Sequence, residues 1–193
     1  MKFNFKVIVI ALFSVVSVAQ SQDVEKLNSQ NKSLSYDETI AAYQALAKNS
    51  KKAKLFTEGL TDCGRPLHLF VISADGTFDP VVARQKGKTV ILINNGIHPG
   101  EPDGIDASVR LSQKYLDGKK KLPENVVICI IPVYNIDGSL NRGCCSRANQ
   151  NGPEQYGFRG NAKNLDLNRD FIKADAENTR SFIKIFQKWD PDV

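Results

Sequence analysis

A cysteine-held metal site is missing from this 193-residue chain: none of its four cysteines falls in a Cys-x-x-Cys pair. That spacing is how structural zinc is usually gripped by thiolates, so a metal here would rest on other ligands. Histidine is scarcer still, with only His68 and His98. Charge of one sign is also in short supply. The formal net charge of +5 falls to +3 once Lys2 and Lys6 of the first nineteen residues are set aside. Such a mild excess carries no argument for a nucleic-acid partner, and Lys119-Lys120-Lys121 reads as a solvated helix end. No internal repeat and no composition shift divides the chain into further domains. What remains is ordinary: 41% hydrophobic and 24% charged residues, enough length for one sizeable domain, and no default to disorder.

The first nineteen residues stand apart. Lys2 and Lys6 precede an apolar run from Val7 through Val18, and Ser17-Val18-Ala19 offers small residues where a signal peptidase cuts. Residues 1–19 therefore read as a secretory signal peptide, residues 20–34 as a polar linker, and the mature protein as secreted or periplasmic with no stable membrane insertion. Export permits disulfides among Cys63, Cys129, Cys144 and Cys145, in three possible pairings. Cys129 lies in an apolar strand and reads as a small buried hydrophobe. The adjacent Cys144 and Cys145 sit in a loop, free to pair elsewhere or to remain thiols.

Ser35-Tyr36-Asp37-Glu38 has the form of a capping box and opens a helix through about Asn49. Residues 53–62 and 66–73 read as two antiparallel strands around the break at Cys63-Gly64-Arg65, and residues 74–86 as a loop. Thr89-Val90-Ile91-Leu92-Ile93 is a short β-branched run, the kind found in strands buried on both faces. A helix follows through about Asp117, then a second apolar strand from Val126 to Val133 and a turn at Asn135-Ile136-Asp137-Gly138. Residues 139–164 lack periodicity, and a last helix spans about Asp175 to Lys188. The order implies an α/β fold: a mixed, largely parallel sheet with helices on both faces, preceded by an antiparallel hairpin. Asp190-Pro191-Asp192 ends that helix and Val193 reads as the start of another strand. This reading makes the chain an N-terminal fragment of a longer domain.

The chemistry concentrates after the run at residues 89–93. His98-Pro99-Gly100-Glu101 sits where a strand's carboxyl end passes into a helix, the place where open α/β sheets hold ligands. Imidazole and carboxylate spaced three apart across a Pro-Gly turn make half of a zinc site. A third ligand and a water would complete a catalytic one. Arg159, Asn168 and Arg169 bring two guanidiniums and an amide to a long loop, groups suited to gripping a carboxylate or a developing oxyanion. His68 alternates on a strand far from this pair and reads as a strand histidine with a satisfied hydrogen bond.

Three stretches in order, His98-Pro99-Gly100-Glu101, Asn135-Ile136-Asp137-Gly138 and Arg159-Gly160-Asn161-Ala162-Lys163-Asn164-Leu165-Asp166-Leu167-Asn168-Arg169, resemble the signatures of the zinc carboxypeptidases of the carboxypeptidase A type. The resemblance covers residues 35–193, the front part of that family's catalytic domain. It implies a Zn2+-dependent hydrolase removing C-terminal residues from peptides or proteins with a metal-activated water. His98 and Glu101 would be metal ligands, Arg159 would polarise the scissile carbonyl, and Asn168 with Arg169 would bind the terminal carboxylate. Asp166 would support the loop. Ile136 stands where the family usually has proline, and Asn164 where it usually has glycine. The family's second zinc histidine and general-base glutamate should follow the next strands, so residues 1–193 alone are expected to be inactive. The alternatives are a zinc-dependent N-acyl amino acid amidohydrolase and a non-catalytic binding fragment.

Overall fold

Alternation of buried side chains along two neighbouring strands sets the centre of the fold. In the computed structural model, which describes residues 23–193, β2 (Pro66–Ser73) and β4 (Val126–Ile131) lie side by side inside a four-stranded sheet. Leu67, Leu69 and Val71 of β2 join Val127, Cys129 and Ile131 of β4 on one face. Phe70, Ile72, Ile128 and Ile130 occupy the other. All are buried. Side chains alternate along a strand, so an apolar residue at every position demands cover on both faces. Helix α6 (Glu177–Trp189) covers the first face with Ile185 and Trp189. Helices α2 (Tyr36–Asn49) and α4 (Asp103–Leu116) cover the second with Ala42, Tyr43 and Val109.

The strand order is β1-β2-β4-β3, with β1 (Ala53–Leu60) and β3 (Thr89–Asn94) outermost. The hairpin β1–β2 is antiparallel, as expected, with Ala53 opposite Ile72 and Leu60 opposite Pro66. The α/β class, the mixed sheet and the helices on both faces also agree with the sequence. The balance of the sheet does not, because β4 inserts between the hairpin and β3. It meets β2 antiparallel, and only the pair joined through α4, β3 with β4, is parallel. Nor is β3 buried on both faces. Of its six residues Val90 alone is fully buried. On its free edge the Leu92 amide donates to Val193 O at 2.8 Å and the Asp192 amide to Val90 O at 2.8 Å. Asp192 and Val193 thus hydrogen-bond along this edge of β3 without belonging to a strand.

Local signals account for most helix starts. Ser35 and Glu38 form a full capping box on α2. Two further helices occupy stretches expected as loop or turn. Asp79 caps α3 (Pro80–Gln85), with proline at its first position, and Asn135 caps α5 (Ile136–Leu140). The expected linker is structured where it is described. Helix α1 (Val24–Ser29) buries Val24, and Leu34 is buried too. The Leu34 amide and Asn28 Nδ2 donate to the two oxygens of the buried Asp106 at 3.2 and 2.7 Å. The signal peptide expected at residues 1–19 lies outside the described residues. No described helix is long and apolar enough to cross a membrane.

Within residues 139–164, β5 (Arg142–Gly143) and β6 (Tyr156–Gly157) form a short antiparallel ribbon. Cys144 and Cys145 are bonded to each other rather than to a distant partner, while Cys63 and the buried Cys129 are free thiols. His68 Nδ1 lies 3.3 Å from Phe56 O, the satisfied strand histidine that its position indicates.

Candidate metal centre

The ends of β3 and β4 are knitted together before the chemistry begins. Beyond β3, Asn95 O accepts the Tyr134 amide at 2.8 Å and Gly96 O accepts the Asn135 amide at 3.1 Å. Gly96 has φ +66°, and a Cβ there would lie 2.9 Å from Ile105 Cδ1, so backbone conformation and space both call for glycine. Asn95 is buried and donates to Ser108 Oγ of α4 at 2.9 Å. The His98–Glu101 turn therefore leaves the sheet in a fixed direction and closes with the Glu101 amide on His98 O at 2.9 Å.

His98 is buried, at 6% exposure, while the Glu101 side chain is half exposed. His98 Nε2 lies 2.9 Å from Asp166 Oδ1, and His98 Nδ1 lies 3.6 Å from Glu101 Oε1. Arg159 donates to the other Asp166 oxygen through Nε at 3.1 Å and Nη2 at 2.9 Å. Burial pushes the Asp166 carboxyl up. Hydrogen bonds from His98, Arg159 and the Asn168 amide outweigh that and hold it down at about 2. Asp166 thus bonds both His98 and Arg159 while also capping the turn that follows it.

The second motif explains how Arg159 is held. Asn135 Nδ2 donates to Arg159 O at 2.9 Å, and the Phe158 amide to Gly138 O at 2.8 Å. A Cβ on Gly138 would lie 2.3 Å from Phe158 O and 2.8 Å from Gly160 O, so the backbones touch only because residue 138 is glycine. The buried Asp137 accepts the Ala162 amide at 3.1 Å. From the other side Asp62 accepts Asn161 Nδ2 at 2.7 Å and pairs with Lys163 at 2.8 Å. Both departures from the family pattern fit. Ile136 is the first residue of α5, the position proline favours, and its side chain is buried instead. Asn164 has φ +58°, and asparagine tolerates that region better than most residues other than glycine.

Asn168 and Arg169 lie in a single 3-10 turn, Leu167–Arg169, capped by Asp166. The Asn168 amide donates at 3.0 Å to the same Asp166 oxygen that faces His98. Both side chains are exposed, and Arg169 Nη1 donates to Asn168 O at 2.9 Å. The sequence-derived set lies together: His98 and Arg159 are both bonded to Asp166, Glu101 lies 3.6 Å from His98 Nδ1, and Asn168 and Arg169 occupy the turn that Asp166 caps.

Tests of metal fit favour His98 and Glu101. An Nε2 that donates to Asp166 leaves the Nδ1 lone pair free, the carboxylate–histidine pattern that orients metal-binding imidazoles. Two ligands of one tetrahedral zinc stand about 3.3 Å apart, given bonds of about 2.0–2.1 Å, close to the 3.6 Å between Nδ1 and Oε1. Among the described residues no three His, Cys, Asp or Glu are grouped to hold a metal, so these two are what the described residues offer.

One residue at the site escaped the sequence. Arg147, 46 residues from Glu101, places its guanidinium on Glu101 Oε1. No periodicity or motif marks it. It lines a cleft of about 420 Å³ together with Gln150, Phe158 and Arg159.

The zinc carboxypeptidase family matches the chain over residues 39–190. Carboxypeptidase 2 of Trichophyton rubrum is 26% identical over 162 residues, covering 81% of this chain and 27% of the relative. Probable carboxypeptidase 2 of Trichophyton verrucosum is 25% identical over 162 residues, covering 81% and 28%. This chain thus spans a little over a quarter of the length of the curated relatives it matches. Carboxypeptidase A of Helicoverpa armigera shares the fold, with a TM-score of 0.62 at 19% identity over 84% of this chain and 47% of that one. A metallo-carboxypeptidase of Burkholderia cenocepacia does so with a TM-score of 0.57 at 21% identity, over 80% and 38%. With most of its described length matched and three motifs in the family's order, the chain belongs to the zinc carboxypeptidases.

Proposed function

We propose that the protein is a zinc metallocarboxypeptidase that hydrolyses the last peptide bond of peptides or proteins with a free C-terminus. One observation carries the reading: a single carboxylate, Asp166, bonds both the candidate ligand His98 and the candidate oxyanion arginine Arg159. That arrangement ties the metal position to the group meant to face the scissile carbonyl.

Zinc held by His98 and Glu101 would supply Lewis acidity and lower the pKa of a bound water. Asp166 keeps the proton on His98 Nε2 and leaves Nδ1 for the metal. Arg159, its backbone clamped by Asn135, offers N–H donors to the carbonyl oxygen as negative charge develops there. Asn168 and Arg169, exposed on the adjoining turn, would take the substrate's terminal carboxylate, Arg169 through a bidentate pair. The reading needs a third protein ligand and a general base, and no described residue is assigned to either. The matched family and relatives are carboxypeptidases, which favours a peptidase over an N-acyl amidohydrolase. The signal-like residues 1–19 support export.

Steady-state kinetics on the full-length protein with Arg159→Ala test this. The expected result is a fall in kcat of about 10²–10³ with KM little changed. An unchanged kcat would sink the role of Arg159.

A further inference from the structure

We infer that Arg147 is a positioning residue for Glu101 whose guanidinium competes with the metal for the carboxylate. The inference rests on the reading of His98 and Glu101 as metal ligands and adds to it a built-in opponent.

The geometry is specific to one atom. Glu101 Oε1 is the oxygen that lies 3.6 Å from His98 Nδ1, and it is the oxygen that the Arg147 guanidinium bonds. A metal held by His98 and Glu101 would thus draw on the same oxygen that the guanidinium of Arg147 already bonds. A cation beside a divalent metal also repels it, and more so where water is partly excluded. The Arg147 side chain is 28% exposed.

The contact is built into the ribbon rather than left to a wandering side chain. The Arg147 amide donates to Tyr156 Oη at 3.1 Å. Gln150 Nε2 donates to Gly100 O at 2.7 Å, and the Gly157 amide to Pro99 O at 3.3 Å. The ribbon therefore grips the His98–Glu101 turn at three points, of which Arg147 is the charged one. A Cβ on Gly100 would lie 3.1 Å from both Cδ and Nη1 of Arg147, so the bare backbone at residue 100 leaves room for the arginine. A metal taking Oε1 would do so against this neighbouring cation.

The test is zinc affinity, measured on the full-length protein by competition with a chromophoric chelator, with circular dichroism confirming the fold of each variant. Arg147→Gln should bind zinc about tenfold more tightly, the worth of one charge-assisted hydrogen bond. Arg147→Lys, which keeps the charge but loses the planar fork, should show a smaller gain. It carries the test alone if the glutamine variant does not fold. Affinity that depends on His98 but is unchanged or weaker in the Arg147 variants overturns the competition. Affinity that survives His98→Ala overturns the site assignment, and this proposal with it.

Discussion

Asp166 Oδ1 lies 2.9 Å from His98 Nε2, across 68 residues of chain. Because the other oxygen of the same carboxylate holds Arg159, the pair fixes imidazole orientation and arginine position together. Removing the carboxylate with Asp166→Ala should lower zinc affinity of the full-length protein about 10–100-fold, the usual cost of losing an outer partner of a metal-bound histidine. Chelator competition measures it. An affinity equal to wild type would reduce Asp166 to loop support after all.

Gly138 marks the closest approach between two motif loops. A methyl group there would stand 2.3 Å from Phe158 O, and neither backbone can withdraw without releasing the hydrogen bonds that hold Arg159. Gly138→Ala is expected to cost about 1–3 kcal/mol of stability in urea unfolding, the range for overpacking a well-filled site. Stability within 0.5 kcal/mol of wild type, on the order expected for a neutral surface change, would show that the loops yield easily.

Much of this was legible because it is local. The capping box at Ser35 and Glu38, the hairpin around Cys63-Gly64-Arg65 and the alternation along β4 are each written within a few residues. The motifs were legible in the same way, and they placed His98, Arg159, Asn168 and Arg169 in one neighbourhood. Two short helices were less legible. Asp79-Pro80 and Asn135 open turns as readily as helices, and helices of six and five residues are too short for a periodicity that separates the two. The position of β3 was not legible. A β-branched run looks alike in the middle of a sheet and at its edge, and only the insertion of β4 decides which it is. Residues 142–157 were opaque for a different reason. They form only a two-pair ribbon, and Arg147 gains its meaning from a turn 46 residues earlier.

Asp170 offers a test by pH. Its two oxygens accept the amides of Asp175 and Ala176 at 2.9 and 3.0 Å, at the start of α6, where Ala176 itself provides no side-chain cap. Burial raises the Asp170 carboxyl, but bonds from Thr179 and the two amides, with the charge of Arg180, bring it below its ordinary value. A carboxyl lowered on folding contributes stability that is full above its unfolded pKa of about 3.9 and is lost as pH falls through the folded one. Asp170→Asn should therefore cost about 1–2 kcal/mol at pH 7, as loss of a helix-end acceptor does. The gap from wild type should shrink steadily below about pH 4. A gap that stays constant down to acid unfolding would mean the charge contributes nothing.

The proposed binding of the catalytic metal by His98 and Glu101 underlies every other role assigned to the site. Its most direct test is the zinc content of the full-length protein, measured by plasma mass spectrometry after equilibrium dialysis against buffered zinc. Wild type is expected to retain one equivalent, and His98→Ala and Glu101→Gln, with the fold intact by circular dichroism, to retain almost none. A full equivalent of zinc held by either variant would contradict the assignment.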